Sequence, residues 1–499
     1  MTIARLATFA FSGIETLSVE VQVQISAGLP AFTVVGLPDK AVAESRERVR
    51  AALTGLGLSL PPKRVLVNLA PANIQKEGSH FDLPIALAVL AAMEVVPREE
   101  LAGFAALGEL ALDGTVGPVA GILPAALGAT ARGLGLICPG PQGDEAAWVG
   151  EIEILAADDL RQFIAHLTGR QILDPPKPPS LQPEATPGPC LSDVKGQESA
   201  KRALEIAAAG QHNLLLVGPP GAGKSMLAAR LPGLLPDLTP QEALEVSLVR
   251  SVAGLIEQGR ISARPPFREP HHSASQAALV GGGPGAKPGE ISLAHRGVLF
   301  LDEWPEFPRP ALEALRQPLE SGTCTVSRAA AHVTYPARVQ LVAAMNPCRC
   351  GHLGDTPREC GQAPRCGEQY QSRLSGPLLD RIDLTIGMAP IAPGELARAP
   401  RGETSAVVAA RVAKARLAQR RRAGTTNAEA PLDTLTAGAA PEALALAERA
   451  SAQLGLSNRG FIRCFRVARS IADLAGESLI AREHMAEALA FRQRPPGGR

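Results

Sequence analysis

The sequence predicts an α/β protein built around a phosphate-binding parallel sheet, with an α+β region before the sheet and helices after it. Three observations carry this prediction. A strand, a glycine-rich turn and a helix follow one another around residues 213–228. Strand and helix patterns alternate over residues 191–392, as in a parallel sheet covered by helices. Residues 393–499 have the apolar spacing of helices alone.

The length and composition of the chain indicate an ordinary globular protein with two or three domains. A chain of 499 residues is too long for one hydrophobic core. Hydrophobic residues make up 45% and charged residues 20%, which supplies enough apolar surface for large cores. The formal net charge of +1 excludes a global positive field, so any surface for nucleic acid must be local.

The sequence has neither the layout of a signal peptide nor an apolar stretch long enough for a membrane span. We therefore expect a cytoplasmic protein without a membrane partner. In that compartment the eight cysteines are expected to be reduced thiols or metal ligands rather than disulfides.

Residues 1–172 form the predicted first domain. Strand patterns such as "TLSVEVQVQIS" and "RVLVNLA" alternate with helical patterns such as "DLPIALAVLAAM", which indicates an α/β or α+β fold. Residues 173–190 are dense in proline and have no periodic apolar residues. They are therefore predicted to form a stiff, extended linker.

The most specific motif is the stretch "NLLLVGPPGAGKSMLAARL", in which an apolar strand leads into a glycine-rich turn and a helix. The glycines let backbone N–H groups surround a phosphate, and the helix N-terminus adds favourable electrostatics. Lys224 is expected to reach the β and γ phosphates of ATP, and Ser225 to supply a hydroxyl ligand for Mg²⁺. The predicted binding loop consists of Gly218, Pro219, Pro220, Gly221, Ala222, Gly223, Lys224 and Ser225.

Two carboxylates follow a second apolar strand, in "GVLFLDEWPEF". At the carboxyl end of a parallel strand they are expected to lie beside the phosphate loop. Asp302 would then hold Mg²⁺ through water, and Glu303 would polarise the attacking water. The alternative is a strand that ends in solvated charges.

A third apolar strand, "VQLVAAMN", ends in Asn346. In phosphate-loop motors a polar side chain at this position touches the γ-phosphate and the attacking water. Asn346 is therefore assigned to ATP chemistry. The alternative is an asparagine that starts a turn before Pro347.

Two arginines complete the predicted catalytic set. Arg381 follows a short helix in "RLSGPLLDRIDL", and in a ring-forming motor it would stabilise transition-state charge in the neighbouring subunit. Arg459 starts a helix in the C-terminal region, from which a lid could contact the γ-phosphate. The alternatives are an ion pair of Arg381 with Asp380 or Asp383, and Arg466 in place of Arg459.

A cluster of cysteines lies within residues 348–366, in a stretch rich in Gly, Pro and charge that cannot build its own core. A tetrahedral zinc site would order such a loop. The spacing is not that of paired C-x-x-C motifs, and His352 could replace one ligand. The alternative is a loop with free thiols. The candidate zinc ligands are Cys348, Cys350, Cys360 and Cys366.

The run "FREPHHSASQAALVGGGPGAKPGEISLAHRGVLFLDEWPEF", together with "NPCRCGHLGD" and "RLSGPLLDRIDL", resembles the ComM family, also called YifB-like. This family belongs to the magnesium-chelatase-like branch of the AAA+ ATPases, and the resemblance covers essentially the whole chain. It implies an AAA+ core at 191–392, and a connecting helix with a helical lid at 393–499. It also implies a homohexameric DNA helicase that uses ATP for branch migration while transforming DNA is recombined, alongside recombination proteins.

The resemblance further implies elements that line a central pore and bind branched or single-stranded DNA without sequence preference. These are an inserted loop at about 264–290 and a hairpin at about 322–336. Candidate DNA contacts there are Lys287, Arg328, His271 and His272. The two histidines could instead be structural or bind a metal. A separate basic stretch within 401–422 either touches phosphates or is a solvated helix face.

The first domain resembles the ribosomal-S5-like fold of the Lon protease domain. Lon-type proteolysis needs a serine nucleophile and a lysine. In this sequence His80 stands at the serine position, with Ser79 displaced by one, and Leu123 stands at the lysine position. We therefore predict no peptidase activity, and a structural or DNA-handling role.

A second function, from a different class, is a magnesium-chelatase-type chaperone that uses ATP to drive metal insertion or to remodel a partner protein. The Lon-like first domain and the cysteine loop argue against it, because the chelatase motor lacks both.

Overall fold

The computed structural model describes residues 3–177, 188–327, 332–353 and 358–492. Arg328 and the central part of the predicted linker lie outside these ranges. Strands and helices are numbered in chain order below.

The N-terminal region is a mixed sheet covered by helices. Its sheet has the order β3-β4-β2-β1-β5-β8-β9, in which β1–β2 and β2–β4 pair antiparallel and the other neighbours pair parallel. The strands are β1 (Ala4–Ser12), β2 (Glu15–Ser26), β3 (Ala31–Val35), β4 (Arg64–Ala70), β5 (Phe104–Ala106), β6 (Glu109–Leu110), β7 (Val116–Gly117), β8 (Gly135–Pro139) and β9 (Ile154–Ala157).

The helices of this region are α1 (Lys40–Gly55), α2 (Asp82–Ala92), α3 (Arg98–Leu101), α4 (Ile122–Thr130), α5 (Gly143–Ala147) and α6 (Leu160–Leu167). Helix α2 is apolar on every side and buried over almost its whole length, as expected of a central helix. Its one acid, Asp82, is buried but accepts a 2.6 Å hydrogen bond from Arg48 Nε, which compensates the buried charge.

The central region contains the parallel sheet that the sequence predicts. Its strand order is β11-β14-β17-β10-β18, and every neighbouring pair is parallel. The strands of this region, including two small hairpins, are β10 (Leu214–Val217), β11 (Phe267–Arg268), β12 (Gly281–Gly282), β13 (Lys287–Pro288), β14 (Val298–Leu301), β15 (Thr323–Ser327), β16 (His332–Pro336), β17 (Gln340–Met345) and β18 (Leu384–Gly387).

The helices around this sheet are α7 (Glu198–Gly210), α8 (Lys224–Ala228), α9 (Pro240–Val252), α10 (Gln276–Val280), α11 (Glu290–Leu293), α12 (Arg309–Ala314), α13 (Pro318–Ser321), α14 (Arg365–Gln371), α15 (Gly376–Leu379) and α16 (Pro393–Arg398). Strand β17 lies between β10 and β14. The three polar strand ends predicted from the sequence therefore lie side by side at one edge.

The C-terminal region is helical, with α17 (Ser405–Ala423), α18 (Leu432–Ala437), α19 (Pro441–Leu454), α20 (Asn458–Ala475) and α21 (Arg482–Ala490). Helix α20 is capped at its N-terminus by Ser457, whose side chain accepts a hydrogen bond from Gly460 N. Its apolar residue Phe465 belongs to the same buried cluster as Leu204 of α7 and Leu214 of β10. Because one core spans both regions, the helices are fixed to the sheet.

The basic stretch within 401–422 is engaged inside the molecule. Arg411 Nε donates to Glu205 at 2.6 Å, and Arg422 donates to Asp473 at 2.8 and 2.9 Å. The Arg416 guanidinium donates to the carbonyl of Ala208 at 2.7 and 2.9 Å. Three of its arginines therefore stabilise the contact of α17 with its neighbours. The sequence analysis considered only contact with phosphates or a solvated helix face for this stretch.

Candidate active site

The phosphate loop and the ends of β14 and β17 enclose a cleft of about 320 Å³. This placement follows from the parallel sheet, since the carboxyl ends of parallel strands meet at one edge. The cleft is lined by Pro220, Gly221, Gly223, Lys224, Ser225, Met226, Asp302, Glu303, Met345 and Asn346.

Three glycines determine the backbone conformation and packing of the loop. Gly221 and Gly223 have φ of +77° and +90°, and a Cβ added at either would meet nothing within 4 Å. Gly218 is different, because an added Cβ would lie 2.4 Å from the carbonyl oxygen of Met388. Gly221 and Gly223 thus allow the left-handed backbone of a loop whose amides can face an anion, and Gly218 allows a close backbone approach.

Lys224 lies at the centre of the cleft and is buried. Its ammonium donates to the carbonyls of Gly218 at 2.7 Å and Pro219 at 3.0 Å, and to Asn346 Oδ1 at 3.0 Å. Burial lowers the pKa of Lys224, and the negative charges of Asp302 and Glu303 oppose this shift. The contact with Asn346 brings together two residues that are 122 positions apart in the sequence.

Ser225 and Asp302 meet at the floor of the cleft, where the Ser225 hydroxyl donates to Asp302 Oδ2 at 2.5 Å. A hydroxyl and a carboxylate are hard oxygen donors of the kind that Mg²⁺ prefers beside phosphates. The donor set therefore fits the predicted metal, with the remaining ligands left to water and substrate.

Glu303 is held in an unusual backbone conformation, with φ of +50°. A non-glycine residue in the left-handed region costs on the order of 1–3 kcal/mol and is found mostly at functional sites. Its amide donates to Asp302 Oδ1 at 2.8 Å. This turn directs the Glu303 carboxylate into the cleft rather than along the strand.

His272 contacts a residue of this cleft, and the sequence does not reveal this contact. Its Nδ1 lies 3.2 Å from Glu303 Oε2, which places the ring beside the phosphate-loop cleft. The adjacent His271 bonds Ser273 Oγ at 2.8 Å instead. Nearby, burial raises the pKa of Glu269 and the charge of Asp302 raises it further. Both residues follow β11, the parallel neighbour of β14, and this adjacency is the signal that could have identified them.

The two predicted arginines lie together in a different cavity, of about 570 Å³. Both donate to the carboxylate of Glu320, Arg381 to Oε2 and Arg459 to Oε1 at 3.2 Å. Arg381 also donates to the carbonyls of Arg316 at 3.1 Å and Pro377 at 2.7 Å. The acid that pairs with Arg381 is thus Glu320, not Asp380 or Asp383 as the alternative interpretation has it.

The arginine cavity is separate from the phosphate-loop cleft. Among the residues that the structure describes, those lining one do not line the other. The lining of the arginine cavity carries a net charge of +2. Besides Arg381 and Arg459 it contains Arg338, Arg463 and Arg466, and its acids are Glu320, Asp383 and Glu429. This count is five arginines, including Arg381 and Arg459, against three acids. Such a surface favours an anion.

Three predicted zinc ligands converge in the loop after Asn346. The sulfur atoms of Cys348, Cys350 and Cys366 all lie within 4.8 Å of one another, and those of Cys348 and Cys350 are 3.0 Å apart. A hydrogen bond from Cys348 lowers the pKa of Cys350 to about 7, which favours the thiolate that metals bind. The sulfur set fits zinc.

The cysteine loop also contacts the phosphate loop. Gly351 has φ of +84°, and a Cβ added there would lie 2.6 Å from Pro220 Cδ. The cysteine loop therefore packs directly against the loop that would bind phosphate.

His80 and Leu123, the residues that the sequence analysis compares with a Lon-type catalytic pair, are both buried in the N-terminal region. His80 Nε2 bonds the carbonyl of Phe9 at 2.9 Å, and burial lowers the pKa of His80 to about 4. Ser79 instead bonds Glu109 at 2.5 Å. Leu123 packs with Val246 of α9 in a cluster between the two regions. The environment of Leu123 is therefore apolar.

The predicted pore elements contact the N-terminal region. The hairpin formed by β15 and β16 contributes Val333 and Tyr335 to a buried cluster against which Ile14 packs. Tyr335 Oη donates to the carbonyl of Ala286 at 2.9 Å, which joins the hairpin to the inserted loop. Lys287 is exposed on β13. DNA contact by Lys287 remains a prediction, and Arg328 lies outside the described residues.

A search for membrane spans finds that each helix of the described ranges is too short or too polar to cross a bilayer.

Comparison with known proteins gives matches along most of the chain. Family models described as "Magnesium chelatase, subunit ChlI", "Subunit ChlI of Mg-chelatase" and "Magnesium chelatase, subunit ChlI C-terminal" match residues 190–396, 21–141 and 402–492. The protein YifB of Escherichia coli K12 is 45% identical over 99% of this chain and 97% of its own length.

Two further relatives mark the range of similarity. The competence protein ComM of Haemophilus influenzae is 45% identical over 99% of this chain and 98% of its own length. The magnesium-chelatase 38 kDa subunit of Rhodobacter capsulatus is 28% identical over 32% of this chain and 50% of its own length. The similarity to ComM and YifB is thus closer and far more extensive than that to the chelatase subunit.

Proposed function

Because the chain belongs to the ComM/YifB-like family of magnesium-chelatase-like AAA+ proteins, we propose that it hydrolyses ATP as a homohexameric ring and uses this reaction to move DNA. The DNA is branched or single-stranded and is bound without sequence preference. The name of the Haemophilus influenzae relative, a competence protein, supports a role in branch migration during recombination of transforming DNA.

The observation that carries the proposal of ATP hydrolysis is the convergence of Lys224, Ser225, Asp302, Glu303 and Asn346 on one cleft. They come from three strand ends, and each has the chemistry that one step of phosphoryl transfer needs. Charge neutralisation, metal binding, water activation and water orientation are all represented. A structural cluster would have no reason to combine these with an open, glycine-lined loop.

Within this cleft the residues would divide the work as follows. Glu303 accepts a proton from the attacking water, and Asn346 orients that water. Lys224 gives up its contacts with loop carbonyls to bind the phosphates. Ser225 and Asp302 would hold Mg²⁺, which neutralises phosphate charge when bound.

The separation of the arginines from the cleft supports a ring. Arg381 and Arg459 share one cavity on the chain, yet the transition state would form in the other. An arrangement in which each copy offers its arginines to the ATP of the next copy completes the site. Head-to-tail contacts of this kind close into rings. The proposed transition-state charge is thus stabilised in trans.

We further propose that Cys348, Cys350, Cys360 and Cys366 hold a structural zinc. The converging sulfur atoms support this, and the contact of Gly351 with Pro220 gives the zinc loop an indirect influence on the phosphate loop. The N-terminal region, with His80 and Leu123 at the Lon-type positions, would serve as a non-proteolytic support for the pore elements.

The test is the rate of ATP hydrolysis with and without forked or four-way DNA. DNA should stimulate the wild-type protein and leave Lys224→Ala inactive. The rival candidate is a chelatase-type chaperone, which the partial match to the Rhodobacter capsulatus subunit favours. Stimulation by porphyrin-chelatase partner proteins and not by DNA would establish that rival and refute the motor.

A further inference from the structure

Glu320 joins the two candidate arginines through a single carboxylate. Oε2 accepts from Arg381 and Oε1 accepts from Arg459 at 3.2 Å. The two arginines come from different segments, one after α15 and the other at the start of α20. A shared carboxylate makes them move together, because displacing either guanidinium changes the hydrogen bonding of the other.

The residue that joins them also belongs to the segment that leads into the β15–β16 hairpin. Glu320 lies in α13, which ends at Gly322 with φ of +69°, and β15 begins at the next residue. Gly322 O accepts a 2.8 Å hydrogen bond from Ala337 N, which closes the base of the hairpin. A shift of α13 therefore shifts the hairpin with it.

Arg381 is attached to the same segment at a second point. Its Nε donates to the carbonyl of Arg316, in the turn between α12 and α13, at 3.1 Å. Nearly all of its side chain is buried, whereas the side chains of Glu320 and Arg459 are 58% and 61% exposed. The exposed ion pair between Glu320 and Arg459 is weak. A phosphate that offers Arg459 a charge-assisted bidentate contact can therefore replace Glu320 as its partner.

We propose that Glu320 is a positioning residue that transmits the arrival of a γ-phosphate to the pore hairpin. The phosphate is that of ATP bound to an adjoining copy, so the inference rests on the proposed function. When Arg459 turns to the phosphate, Glu320 loses that contact and its hydrogen bonding with Arg381 changes, so that α13 can move with the hairpin attached. Glu320 thereby couples hydrolysis to the movement of DNA, without itself touching the nucleotide.

The variant Glu320→Gln tests this inference, because it retains the size of the side chain and removes its charge. In the full-length protein we expect the DNA-stimulated rate of ATP hydrolysis and the unwinding of forked DNA to fall about tenfold, with a much smaller change without DNA. Glu313→Gln is the matched control, since Glu313 lies on α12 and pairs with Arg316 at 2.9 Å. It should keep wild-type stimulation.

A second readout separates coupling from a structural role. Hydrogen exchange of residues 323–327 and 332–336 should change when a non-hydrolysable ATP analogue binds to the wild-type ring, and should not change in Glu320→Gln. Wild-type stimulation together with a wild-type exchange response in Glu320→Gln would overturn the inference and leave the motor intact. A wild-type protein that DNA does not stimulate would overturn both.

Discussion

The phosphate-loop cleft and the arginine cavity are complementary in the chemistry that they hold. The cleft contains one buried lysine, a magnesium-type donor pair and a carboxylate directed at open space. The cavity contains five arginines, and only three acids among its lining residues. Each is incomplete for phosphoryl transfer, since one has the reactants' binding groups and the other has the charge that stabilises the transition state. The difference supports the proposal that a single copy of the chain carries two halves of a site.

The largest expected effect comes from breaking the cleft half. Glu303→Gln removes the general base and should lower ATP hydrolysis by about 10²–10⁴-fold. Lys224→Ala should abolish hydrolysis by removing nucleotide binding, whereas Glu303→Gln should still bind ATP. Fluorescent-nucleotide titration and phosphate release measure the two effects.

Glu306→Gln is the control for these variants, since Glu306 lies three residues beyond Glu303 and pairs with Arg373 at 2.8 Å. Activity of Glu303→Gln close to that of wild type would show that another residue activates the water.

Breaking the arginine half should give a large effect of a different kind. Arg381→Ala is expected to reduce hydrolysis about 10³-fold by removing transition-state stabilisation. Its affinity for ATP should stay close to that of the wild type, because the phosphate loop of the same chain is intact. Steady-state kinetics and nucleotide titration separate these quantities.

Arg449→Ala, on the exposed side of α19, provides the control for this prediction. Loss of ATP binding in Arg381→Ala at unchanged thermal stability would indicate that Arg381 acts on the nucleotide of its own chain, which contradicts the separation of the halves.

A smaller effect is expected at His272, and it tests whether this residue acts on the cleft through Glu303. His272→Ala removes the 3.2 Å contact to the Glu303 carboxylate and should lower kcat about tenfold with little change in KM, because only the orientation of the base is lost. The adjacent His271→Ala, whose ring bonds Ser273, should change kcat less than about twofold. Equal effects of the two substitutions would assign both histidines to DNA or to structure.

The smallest effect on hydrolysis is expected from the cysteine loop. The purified protein should contain one zinc per chain, measured by elemental analysis. Cys366→Ser should lose the metal and lower the unfolding temperature by about 2–4 °C, with partial loss of activity. Cys464→Ser, in the helical region, should retain zinc. A protein free of zinc with an unchanged unfolding temperature would identify these residues as free thiols.

The cleft could be predicted from the sequence because each of its motifs is contiguous and ends a strand. A parallel sheet is enough to bring these motifs together, namely Gly218 to Ser225, Asp302 with Glu303, and Asn346. The sheet itself follows from the alternation of strand and helix patterns. The contact of His272 with Glu303 could not be predicted, because β11 has only two residues, too few for a recognisable strand pattern.

The partners of the arginines could not be predicted, for a different physical reason. Glu320 and Arg381 are 61 positions apart, and the ion pair depends on how α13 and α15 pack. The same holds for Arg416, whose positive charge suggests a nucleic-acid surface but whose guanidinium bonds a carbonyl of α7. Charge is visible in a sequence, whereas the neighbour that satisfies it is set by tertiary packing.

The most direct test of the split site mixes two inactive variants. Glu303→Gln retains the arginine half, and Arg381→Ala retains the cleft half. When an equal mixture assembles at random into rings, about a quarter of the subunit contacts join an intact cleft to intact arginines. These contacts should regain activity. Hydrolysis clearly above that of either variant alone is the predicted result. A mixed ring that assembles and is no more active than its components would contradict the account.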